Sequence, residues 1–208
     1  MKLKRYIALL MMSASLSVLY AQKTEEKHSV SVGWGVWLPV GGNTFTNKLT
    51  WVTPHVGYEY RILPQLSAGF SVGYLYSNEK GNTTDRYNNS LVNGNSHRKL
   101  TAIPIQAELL YFPLGAREQL FQPFLGIGGG VRYTKYYITG DVINTSEVSS
   151  WAGIMTPQVG LRVAPFANKR ISLDARLYWQ NVGNRWELLD TSSQQGIGIE
   201  LRMVSLIF

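Results

Sequence analysis

Cysteine is absent from the 208-residue chain, and histidine occurs only three times, as His28, His55 and His97. The first absence removes disulfide frameworks, thiol nucleophiles and cysteine-held metal sites. Charge is also scarce: Asp, Glu, Lys and Arg make up 16% of residues, where soluble domains carry roughly 25%. Beyond the N-terminal segment no stretch approaches the roughly 18 consecutive apolar residues that a helical membrane span needs. Aromatic side chains (12%) and glycine (20 residues) are plentiful, and mean hydropathy is close to zero. Alternation of apolar and polar residues along strands gives that balance; apolar helices do not.

The formal charge is +7, but Lys2, Lys4 and Arg5 belong to a short basic start. An apolar run from Tyr6 to Leu19 follows, and Leu19-Tyr20-Ala21 closes it with a small residue. This is the layout of a secretory signal peptide, expected as a helix outside the fold. Its removal leaves a net charge of +4, and the remaining basic residues are scattered, so no nucleic-acid partner is expected. The chain divides into a signal peptide (1–21), a short polar tail (22–27) and one domain (28–208).

Through that domain the hydrophobic period is two. Eight strands are expected, at about 28–40, 50–63, 65–78, 98–112, 121–139, 150–164, 170–182 and 194–208. Each is long enough to cross a bilayer at a tilt, which takes about 9–11 residues. Short connections at 64, 113–120 and 165–169 alternate with longer polar ones at 41–49, 79–97, 140–149 and 183–193. That alternation predicts an all-β, eight-stranded antiparallel up-and-down transmembrane barrel with both termini on the short-turn side. Thr53-Pro54-His55-Val56-Gly57 recurs loosely as Thr156-Pro157-Gln158-Val159-Gly160, with a third copy beginning at Ile103-Pro104. Each proline removes a ladder bond, so bulges or frayed pairing are expected there.

One face of the strands is apolar, with aromatic residues at its two ends. Tyr74, Tyr76, Tyr133, Trp151 and Trp179 fall near the long loops, and Tyr58, Tyr60 and Tyr111 near the turns. Such girdles flank a lipid-facing band, with outer-membrane lipid as the implied partner. The opposite face carries Glu59, Arg61, Glu108, Arg132, Arg162, Asp174, Arg176, Glu200 and Arg202, with His55 in the same phase and glycines 57, 69, 73, 126, 128, 130, 160 and 198 among them. An eight-stranded barrel is just wide enough inside for side chains to fill it. Buried charges must be paired there, so these residues read as a luminal charge network that plugs the barrel.

Catalytic signals are sparse. Ser96-His97 is the one adjacent Ser-His pair, and no spacing supplies an acid to orient it. Gly126-Ile127-Gly128-Gly129-Gly130 lacks the Lys and Ser/Thr of a phosphate loop and lies within a strand. No carboxylate or imidazole cluster has metal-ligand spacing. No catalytic residue, metal or cofactor is therefore expected.

The segments Ile103-Pro104-Ile105-Gln106-Ala107-Glu108-Leu109-Leu110-Tyr111-Phe112 and Gln122-Pro123-Phe124-Leu125-Gly126-Ile127-Gly128-Gly129-Gly130, with the ending at Phe208, resemble the outer-membrane protein β-barrel domain family. These are small porin-like barrels common in Bacteroidetes and related to the OmpA/OmpX type. The resemblance implies a Gram-negative outer-membrane location. It also implies that a terminal aromatic, here Phe208, is read by the barrel-insertion machinery. The apolar phase of the last strand runs Ile197, Ile199, Leu201, Met203, out of step with Phe208; a slip near Val204 to Ser205 would reconcile the two. The expected role is structural or surface-interacting, with any ligand bound through loops 79–97, 140–149 and 183–193. A narrow channel for ions or small solutes is the alternative, and a lipid-modifying enzyme a more distant one.

Overall fold

The computed structural model describes residues 27–40, 49–50, 54–87, 90–114, 120–140, 146–164, 170–183 and 194–207, with backbone alone for 81–96, 140 and 146. The signal peptide, most of the polar tail and Phe208 lie outside these residues.

Among the described residues nine strand segments form one antiparallel sheet: β1 (His28–Val40), β2 (His55–Leu63), β3 (Leu66–Gly73), β4 (Leu75–Tyr87), β5 (Ser90–Tyr111), β6 (Phe121–Gly140), β7 (Ser146–Val163), β8 (Ile171–Val182) and β9 (Gln194–Leu206). β3 and β4 are two parts of one barrel strand, interrupted at Tyr74, and both pair with β5. The sheet is therefore a closed eight-stranded barrel. Closure runs between β1 and β9, from Ser29↔Leu206 to Val40↔Gln195. Both described ends meet at the short-turn side, where the Ile207 N–H donates to the His28 carbonyl (2.9 Å).

The slip near Val204 to Ser205 that would reconcile the last strand's apolar phase with Phe208 does not occur. Ser205 pairs with Val30 on one side and Ile171 on the other, in register with the rest of β9. Two complete ladders hold the strand, so its phase continues to Leu206. The prolines fray the sheet without bulging it. Pro104 stands opposite Gly73 in the gap between the β3–β5 and β4–β5 ladders, and the same register holds on both sides of the gap. Pro157 stands in a similar gap between Met155↔Asn181 and Gln158↔Tyr178. A missing N–H deletes a bond, but the neighbouring pairs still set the alignment. Among the described residues the one irregularity of register lies instead at the turn end, between Arg61 and Leu63.

The segment 79–97, expected as an irregular loop, is mostly ladder. β4 and β5 pair from Leu75↔Ala102 up to Tyr87↔Ser90, β5 and β6 up to Ser96↔Gly140, and β6 and β7 up to Ile138↔Ser146. The partners across β1, β2, β8 and β9 stop lower. A four-stranded sheet thus rises beyond the barrel rim on one side. A hairpin outside lipid has no face to bury, so its sequence carries no period-two apolar signal to read.

The outer face follows the expected phase. Leu201 is 65% exposed, and Leu125, Ile127, Val159, Leu173, Leu177 and Ile199 are exposed with it. From the turn end up to the row Tyr74, Ile103, Tyr133 and Trp151, no described outward position carries Asp, Glu, Lys or Arg. The first outward charges, Lys80, Lys99, Lys135 and Glu147, lie beyond that row. Among the described residues no helix is long and apolar enough to cross a membrane.

Candidate functional site

The inward face is layered. At the turn end Leu110, Phe112 and Phe124 form a buried apolar cluster. At the loop end Trp37, Leu75, Leu100, Ala102 and Tyr136 form another, with Ala152, Ile154 and Val182 as a smaller third. Sequence reading missed these inward apolar residues because they share a phase with the charges. Their signal is position: they occur where each strand enters or leaves the barrel.

Between the layers runs a connected chain of ion pairs. Arg162 Nη2 donates to Glu59 (2.7 Å) and Arg162 Nε to Asp174 (2.7 Å). Arg176 reaches Asp174 (2.9 Å) and Glu108 (2.9 Å). Arg202 reaches Glu108 (3.2 Å) and Glu200 (2.8 Å), and Glu200 meets His55 Nδ1 at 2.5 Å. The register places these groups side by side, since Asp174↔Arg202, Arg176↔Glu200 and Arg162↔Asp174 are direct cross-strand pairs. Seven of the nine expected luminal charges therefore join one network, and His55 is added to it. Ser71 donates a further 2.5 Å bond to Glu108.

Arg61 and Arg132 flank the network. The Arg61 guanidinium lies 4.6 Å from the Phe112 ring centre, Arg162 lies 5.0 Å from the same ring, and Arg176 lies 5.1 Å from that of Phe124. Cations over aromatic faces let charge and apolar layers adjoin without a gap. Arg132 is fully buried and donates to Thr134 Oγ1 (3.1 Å), Gln180 Oε1 (3.1 Å) and Gln194 Oε1, all uncharged acceptors. Glycine makes the room. A Cβ on Gly33 would lie 2.6 Å from Arg202 Cγ, and one on Gly196 would lie inside the Trp37 indole.

The aromatic residues occupy both ends of the outer face. Tyr58, Tyr60 and Tyr111 are exposed at the turn end, where His28 Nδ1 meets the Tyr58 hydroxyl at 2.6 Å. Tyr74, Tyr76, Trp151 and Trp179 are exposed near the rim, and Tyr133 lies against Trp151 with ring centres 5.2 Å apart. His97 bonds Asn78 Oδ1 through Nε2 (2.7 Å), so its partner on the protruding sheet is an amide and not an acid. Its pKa lies below the ordinary value through local desolvation and the neighbouring Lys80 and Lys99 ammonium groups. Glu147 lies 2.7 Å from the Lys135 ammonium and pulls its pKa upward. The loop stretches 141–145 and 184–193, named as ligand sites, lie outside the described residues.

No protein-family profile and no curated protein matches the chain. Solved structures do. Neisserial surface protein A superposes with a TM-score of 0.57 at 12% identity, over 86% of this chain and 96% of that one. The attachment invasion locus protein Ail of Yersinia pestis, in complex with the heparin analogue sucrose octasulfate, gives 0.55 at 11% identity, over 87% and 99%. A major outer membrane protein from Thermus thermophilus gives 0.53 at 12% identity, over 85% and 99%. The fold is that of the small outer-membrane barrels. The barrel's apolar exterior and charged interior are the reverse of a soluble domain, in which the apolar face turns inward.

Proposed function

We propose that this chain is a non-enzymatic outer-membrane barrel whose lumen is closed and whose work is done at the cell surface. The observation that carries the reading is the chain of ion pairs from Glu59 to His55, set between apolar layers at the turn end and the rim. Such packing blocks ions and holds the barrel rigid. Phe208 would serve the insertion machinery, and the exposed apolar band between aromatic ends would face outer-membrane lipid.

Surface binding would then fall to the sheet of β4 to β7 and to loops 79–97, 140–149 and 183–193. Lys80, Lys99 and Lys135 on the outer side of that sheet make sulfated glycan the first ligand class to try, as does the heparin analogue bound to Ail. Planar-bilayer recording of the purified protein tests the closed lumen. Silence is the expected result. Steady conductance that changes on Arg132 or Glu108 substitution would overturn it and favour the narrow-channel alternative.

A further inference from the structure

Above the ion-pair chain the lumen does not fill. A cavity lies between Glu108, Glu200 and Arg202 on one side and Arg132 and Gln180 on the other. The volume open to the centre of a water-sized occupant is about 50 Å³, and one water needs roughly 10–15 Å³ measured that way. The space suits a few waters, or one monatomic ion with a water.

The carboxylates that line the cavity, Glu108 and Glu200, are engaged by Arg176, Arg202 and His55, and the polar groups beside Arg132 are mostly donors. Arg132 donates to three neutral acceptors and, among the described residues, to no carboxylate. Gln180 Oε1 accepts from Arg132 and Gln158 Oε1 accepts from Arg176 (3.1 Å each), so these two amides have N–H groups left to offer. The Thr156 hydroxyl lines the cavity, is buried and has no partner. Gln106 Oε1 is the corresponding unpartnered acceptor. The luminal carboxylates Glu59, Glu108, Asp174 and Glu200 are held by Arg162, Arg176, Arg202 and His55, and among the described residues none of them reaches Arg132. A buried cation without a counter-charge is costly, and the donor set around it has the chemistry of an anion site.

We propose that this cavity binds a single halide-sized inorganic anion against the Arg132 guanidinium. Gln158, Gln180 and Thr156 would supply neutral donors, and one water would bridge the anion to Gln106 Oε1. The site is independent of any surface ligand and of whether the barrel conducts, so its test stands apart from bilayer recording.

Crystals of the protein, extracted from membranes in detergent with bromide replacing chloride, provide that test by anomalous diffraction at the bromine edge. A bromine peak in the cavity beside Arg132 is expected. Gln180→Glu places a carboxylate on Arg132, and the peak should disappear while the barrel stays folded. Thr156→Val should reduce its height severalfold. A cavity holding water only, in crystals that show bromide elsewhere on the surface, would overturn the proposal. So would a peak that survives Gln180→Glu unchanged.

Discussion

Glu108→Gln probes the luminal network at its most connected carboxylate. Glu108 Oε1 accepts from Ser71 (2.5 Å) and Arg202 (3.2 Å), and Oε2 from Arg176 (2.9 Å) and Arg202 (3.3 Å). An amide keeps the shape but turns one acceptor into a donor, set against a guanidinium. Hydrogen bonds to charged groups are worth about 1.5–3 kcal/mol each, and breaking a buried pair costs about 3–5 kcal/mol. The two arginines are not stranded, since Arg176 keeps Asp174 (2.9 Å) and Arg202 keeps Glu200 (2.8 Å). The expected loss is therefore near the low end, about 3 kcal/mol. Equilibrium urea unfolding in lipid vesicles, followed by fluorescence of the six tryptophans, measures it. The double variant Glu108→Leu with Arg202→Met replaces charge by apolar volume and should cost less than the sum of its singles by at least about 1 kcal/mol. A Glu108→Gln loss below about 1 kcal/mol, the range of solvated ion pairs, would refute the argument that the ion-pair chain is packed and shielded from bulk solvent.

Three further perturbations probe other surfaces. Leu201→Arg sets a charge in the middle of the exposed apolar band and should cost about 2–4 kcal/mol in vesicles, while Ser149→Arg beyond the aromatic row should be close to neutral; equal costs would mean that the band does not face lipid. Gly196→Ala drives a Cβ into the Trp37 ring, an overpacking that costs about 1–3 kcal/mol. Gly129→Ala meets nothing within 4 Å and should gain about 0.5–1 kcal/mol, so urea midpoints should move in opposite directions. His97 should titrate below its ordinary value by NMR, and Lys80→Gln should raise it. With its folded pKa depressed, His97 contributes stability at pH above its unfolded pKa, and that contribution falls as pH drops toward the folded pKa.

The barrel was legible because lipid and lumen impose opposite demands on alternate residues. Val30, Val32, Trp34, Val36 and Leu38 reveal β1 by themselves, and its bounds match His28–Val40. The hairpin at 79–97 was not legible, because a sheet with neither face in lipid has no alternation to betray it. Within the lumen, period two shows which face a residue occupies but not which partner it meets. Register supplies that, and it depends on the short turns and on closure between β1 and β9. This is how His55, 145 positions from Glu200, joins the network, and why Arg132 finds glutamines where an acid was expected. The inward Phe112 and Phe124 look like breaks in a polar phase until the guanidiniums above them are placed.

The strand lengths bear on where function can reside. β8 has 12 residues and β9 13, about what a bilayer crossing needs, whereas β5 has 22 and β6 20. The surplus forms the sheet above the rim, whose margins are β4 past Tyr74 and β7 before Gly153. Among the described residues each of these pairs on one side only. Unpaired strand margins are normally blunted, because they template association with other chains. Polar residues and lysines reduce that hazard here. A rigid, charge-locked barrel beneath would hold such a margin at a fixed height and angle above the membrane. Under the surface role proposed above, such a margin would suit an extended partner, by backbone pairing along it or by charge across the lysines of its outer side.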